Sequence, residues 1–139
     1  MSTKQKKMIG LRRLKKLAEF LKTIPAQKFN YNVYANFNSG KYKNQKCTAK
    51  NECCTQACAL GWSTAIFRQL RLVGNDVVNV KTNSIDITAA TEFFSITYSD
   101  ASHLFLANMD EEEKFTAKQV GQKIMRYVKE ESKLNGITL

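Results

Sequence analysis

The chain has one proline, one histidine and one tryptophan among its 139 residues, and nowhere an apolar run of about 18 residues. The missing run excludes a membrane-spanning helix. A lone histidine, His103, excludes a histidine-rich metal centre. The opening residues, Met1-Ser-Thr-Lys-Gln-Lys-Lys7, lead into an amphipathic stretch without the continuous apolar core of an export signal, so the expectation is an intracellular protein with reduced thiols. Acid is also scarce at one end. The first fifty residues hold a single acid, Glu19, against thirteen Lys or Arg, and carry +12, whereas the remainder carries −2. A field this one-sided draws polyanions and speeds encounter with them, and it does not by itself specify a partner.

What is present reads as one domain over residues 1–139. An apolar fraction of 43% and a charged fraction of 24% are ordinary for a globular chain. From Met8 to Ile24, Leu11, Leu14, Leu17, Ala18, Leu21 and Ile24 recur at helical spacing, with Arg12, Lys15, Lys16, Glu19 and Lys22 on the opposite side. This predicts a first helix preceded by a basic tail, residues 1–7, and ended by Pro25. Residues 29–35 alternate aromatics with asparagine as a strand or a strip over the core would, and residues 36–50 read as a basic loop around Gly40.

Residues 53–69 place Cys54, Cys58, Trp62, Ala65 and Ile66 on one helical face, which predicts a central buried helix with Cys54, Cys58 and Trp62 as structural core. Leu70 to Val80 suits a β-hairpin turning at Gly74 and Asn75. Asp86 or Thr88 can cap a short helix through Phe94, and Ser99 with Asp100 can start another through Leu106. A last helix is expected from Thr116, where Thr-Ala-Lys-Gln is a capping box, with Val120, Ile124, Tyr127, Val128 and Leu134 as its buried stripe. The fold expected is therefore mainly α, about five helices and a short β-hairpin in one compact domain.

Four segments in this order carry a resemblance: Leu21-Lys-Thr-Ile-Pro-Ala-Gln-Lys-Phe29, Cys54-Thr-Gln-Ala-Cys58-Ala-Leu-Gly-Trp62, Ala89-Ala-Thr-Glu-Phe-Phe-Ser-Ile96 and Ser99-Asp-Ala-Ser-His-Leu-Phe-Leu106. The chain resembles a group of small uncharacterised proteins of bacteriophages and bacterial mobile elements marked by Cys-x3-Cys-x2-Gly-Trp. It departs from that pattern at Cys53-Cys54-Thr55, where the group tends to show Cys-Gly-Thr, and at Ser95, where glycine is usual. The resemblance implies a viral or mobile-element origin, a place in the host bacterial cytoplasm or with the virion, and no particular mechanism.

The chemistry-bearing residues point away from catalysis. Cys47, Cys53, Cys54 and Cys58 are enough in number for zinc, but their spacing differs from the paired Cys-x2-4-Cys of common sites. A cysteine nucleophile would need His103 as its base, and a histidine in Ser-His-Leu-Phe-Leu fits the edge of a core. The run Asp110 to Glu113 lacks a fixed cage for a cation and suits the start of a helix. No paired carboxylates, phosphate loop or histidine cluster appears, so the expectation is a protein that is not an enzyme and needs no cofactor or metal.

The binding residues expected are Lys4, Lys6, Lys7, Arg12, Lys15, Lys16 and Lys22 at the first helix, and Lys41, Lys43 and Lys46 in the loop, all meeting phosphate or another polyanion. Tyr31, Tyr34 and Tyr42 could stack on bases, or else cover the core. Three partner classes stay open: nucleic acid, an acidic protein surface in a virion or host complex, and a host-defence component or its nucleotide signal. An oligomer is compatible with each.

Overall fold

In the computed structural model the residues described are 1–25, 28, 36–37, 54–56, 58–74, 76–105 and 116–139, with 36–37 and 54–56 described by their backbone alone. Among them the chain is mainly helical, with five helices and a β-hairpin. Helix α1 spans Thr3–Leu21. Strands β1 (Asn36–Phe37) and β2 (Cys54–Gln56) pair antiparallel, and a short α2 follows at Ala59–Ser63. Then come β3 (Leu70–Val73), β4 (Asp76–Asn79), α3 (Asp86–Phe94), α4 (Tyr98–Phe105) and α5 (Ala117–Leu134).

Helix α1 begins earlier than the periodicity predicts, which corrects the basic tail: Lys4, Lys6 and Lys7 are helical. The cause is a capping box, in which Ser2 Oγ accepts from the Gln5 N–H at 3.1 Å and Gln5 Oε1 accepts from the Ser2 N–H at 2.9 Å. It also ends earlier, at Leu21. Thr23 and Ile24 turn back onto the carbonyls of Phe20 and Leu21, with Ile24 held out of the helix by Pro25. At the other end of the chain, Thr116 caps α5 as expected, through the same reciprocal pair with Gln119.

Leu11, Leu14, Leu17, Ala18 and Leu21 form the wholly buried stripe of α1, and Val120, Ile124 and Val128 that of α5; Leu134, expected in the second stripe, is 81% exposed beyond the core. The two helices pack antiparallel. Gly121 of α5 lies against the Ala18 carbonyl while Lys7 reaches Glu131. Gly10 is where α1 crosses the end of α3, and a Cβ there would stand 1.8 Å from the Phe94 carbonyl oxygen, so the crossing requires glycine. Around that crossing the rings of Phe67, Phe93, Phe94 and Phe105 form one chain of contacts with centroids 4.9 to 6.0 Å apart.

The hairpin forms where expected, with Leu70 opposite Asn79 and Val73 opposite Asp76, and Gly74 takes a φ of 61° at the turn. Asp86 does not cap α3. Its Oδ1 accepts the Val77 N–H at 2.9 Å, tying α3 to β4, and burial raises its pKa. Helix α4 starts from Thr97 rather than Ser99, because Thr97 Oγ1 takes the Asp100 N–H at 3.1 Å. The long central helix is likewise corrected. Cys54 belongs to β2, and Cys58 is the extended residue before α2, with φ −79° and ψ −179°. Cys58 and Trp62 are nonetheless core, at 2% and 7% exposure. Trp62 Nε1 donates to the Lys28 carbonyl at 3.0 Å, and its ring meets Phe20 edge-on.

Candidate polyanion interface

Amphipathic α1 buries its leucines and therefore leaves its cations outward. Lys4, Lys6, Arg12, Lys16 and the cap residue Lys22 are exposed; Lys7 and Lys15 are partly buried. The expected residues do not behave alike. Lys7 is taken into the protein, its Nζ 3.7 Å from Glu131 and donating to Tyr127 Oη at 3.3 Å. Tyr127 Oη in turn donates to Asp100 Oδ2 at 2.8 Å, joining α1, α4 and α5; burial, and then the Asp100 carboxylate, push the phenol pKa well upward. Lys7 is thus a structural residue more than a phosphate contact. Arg13 is similarly engaged, with its guanidinium 4.1 Å from the Phe93 ring centroid and Nη1 donating to the Phe93 carbonyl at 2.8 Å. Lys16, though exposed, lies with Nζ 5.6 Å from the Phe67 ring.

The net charge of −2 over residues 51–139 conceals a second basic element. Helix α5 carries Lys118, Lys123, Arg126, Lys129 and Lys133 against Glu130 and Glu131. Of these, Lys118, Arg126, Lys129 and Lys133 are exposed. The signal was in the sequence as basic residues at helical spacing, cancelled in the sum by acids that belong to other segments. Antiparallel packing brings the Lys22 end of α1 beside the Lys118 end of α5, and Lys15 and Lys129 line one groove between the helices. The pair of helices is cation-rich on its exposed sides. Its exposed acids are Glu19 on α1 and Glu130 on α5. Oriented ammonium and guanidinium groups on rigid helices can meet successive phosphates or carboxylates, and carry no base-reading geometry of their own.

Lys41, Lys43 and Lys46, and the stacking residues Tyr31, Tyr34 and Tyr42, lie outside the described residues, as do Cys47, Cys53 and the acidic run from Asp110 to Glu113. His103 is exposed on α4. The Cys58 thiol is fully enclosed, and burial raises its pKa to about 11, which keeps it protonated and unreactive near neutral pH. Among the described residues no three His, Cys, Asp or Glu side chains are grouped to hold a metal ion. No helix among them is long and apolar enough to cross a membrane. Comparison with family models, with curated proteins and with solved structures finds no match.

Proposed function

We propose that this chain is a non-enzymatic accessory protein of a bacteriophage or mobile element that binds nucleic acid, or a similarly polyanionic surface, through the joined faces of α1 and α5. The observation that carries the reading is the packing of two cation-rich amphipathic helices side by side, with Lys4, Arg12, Lys16 and Lys22 on one and Lys118, Arg126, Lys129 and Lys133 on the other. Cations in this number, carried on two packed helices, suit phosphate backbone contacts, which supply affinity without sequence preference. The phage or mobile-element origin rests on the order of the Cys-to-Trp segment and its two later phrases.

Titration of fluorescent duplex DNA at several salt concentrations tests it. Neutralisation of about six phosphates predicts a slope of log K against log salt of about −5, and roughly a thousandfold loss of affinity between about 50 and 200 mM salt. Absence of binding at the lowest salt overturns the nucleic-acid reading. Selective co-purification of an acidic protein at moderate salt would then assign the same surface to assembly.

A further inference from the structure

The groove between α1 and α5 is more than a strip of charge. Met125 and Val128 give it an apolar floor, Leu139 lies along it, and Lys15 and Lys129 both line it. Its volume is about 270 Å³, just below the range of about 300–1,000 Å³ that holds drug-sized ligands, so only a smaller molecule fits. Ser132 also lines the groove. Its Oγ is buried and has no hydrogen-bond partner, the one such side-chain atom among the described residues. With no accessible surface, that hydroxyl cannot touch anything held in the groove.

We infer that this groove is a binding site for a small organic anion with a short aliphatic tail, free in solution: the tail lies on Met125 and Val128, and the carboxylate or phosphate head meets Lys15 and Lys129. Each part of the groove selects one part of such a molecule. The apolar floor gives nothing to a bare inorganic anion, and the two ammonium groups disfavour a tail bearing positive charge. The short groove suits a free molecule better than a lipid held in a bilayer, whose tails stay in the membrane. The inference uses two cations of the proposed polyanion face but does not require nucleic-acid binding, so the two readings fail separately.

The test is an amide chemical-shift titration of the full chain with octanoate at low salt. Saturable shifts are expected at residues 15, 125, 128, 129, 132 and 139, with a dissociation constant on the order of 1 mM for a ligand of this size. Octyltrimethylammonium should leave those amides unmoved, and inorganic phosphate should leave residues 125, 128 and 139 of the apolar floor unmoved. The exposed-end substitutions Lys15→Gln and Lys129→Gln together should weaken octanoate at least about tenfold. The inference is overturned by non-saturating or scattered shifts, by equal response to the octyl cation, or by octanoate affinity that survives the double lysine change. It is also overturned if phosphatidylglycerol vesicles capture the protein while octanoate moves nothing.

Discussion

Replacement of Gly10 by alanine is the sharpest test of how α1 is seated. The new Cβ would meet the Phe94 carbonyl oxygen at 1.8 Å, its carbon at 2.5 Å and Ser95 Cβ at 3.2 Å. An ordinary carbon–oxygen contact needs about 3.3 Å, so the helices must separate by roughly 1.5 Å. No flexible side chain can give way. The obstacle is backbone at the end of α3, where Phe94 is wholly buried among Phe67, Phe93 and Phe105 and Arg13 holds the Phe93 carbonyl. Overpacking costs about 3 kcal/mol or more in such a place, against about 1 kcal/mol regained from alanine's helix propensity. The expected loss is therefore about 2 kcal/mol, or roughly 6–8 °C in melting temperature for a chain of this size. Urea denaturation followed by circular dichroism measures it. Gly121→Ala is the matched control, because its Cβ would stand 3.0 Å from the Ala18 carbonyl and the few tenths of an ångström required are offset by the same propensity gain. A Gly10→Ala protein as stable as the Gly121→Ala protein would refute the crossing described here.

Two further stability predictions concern a backbone angle and a thiol. Ser95 caps α3 with φ 54°, in the left-handed region that non-glycine residues adopt at a cost of about 1–2 kcal/mol. Ser95→Gly should raise stability by about 0.5–1 kcal/mol after allowance for the freer unfolded chain, and a destabilised variant would show that the serine has a role beyond the turn. Burial raises the Cys58 thiol pKa from 9.0 to about 11, so its contribution is fully present below about pH 9 and is lost as pH rises through 11. Over that window the loss approaches about 3 kcal/mol. Urea midpoints measured from about pH 8 to about pH 11 should fall more steeply for the native chain than for Cys58→Ala; parallel slopes would mean that the thiol is not enclosed.

The elements legible in the sequence were those whose signal is local. The apolar stripes of α1 and α5 repeat at helical spacing over four turns or more, and the Thr116 box and the Gly74-Asn75 turn state their own geometry. The start of α1 was also legible, since Ser2-x-x-Gln5 is a capping box, but the lysines around it suggested a tail. Residues 54–63 misled for a different reason. Their spacing fits a helix, yet Cys54–Gln56 pairs with Asn36–Phe37, and pairing across that separation is a tertiary effect that no local pattern reveals. Asp86 shows the same competition, its carboxylate taken by Val77 in the hairpin instead of capping its own helix. For the candidate surface, the residue types were readable and their allegiance was not. Lys7 and Arg13 carry the same charge as Lys4 and Arg12, but Tyr127, Glu131 and Phe93 bind them into the fold.

Joint use of α1 and α5 as one polyanion-binding surface is the core of the proposed function. It is tested most directly by comparing the salt dependence of duplex DNA binding for the native chain, for Arg12→Gln with Lys16→Gln on α1, and for Lys118→Gln with Lys129→Gln on α5. Each pair should weaken binding for every DNA sequence alike and reduce the magnitude of the salt slope by about 2, close to one counterion per lost cation. A slope unchanged by the α5 pair would contradict the joined surface, and the absence of salt-dependent binding by the native chain would contradict the function.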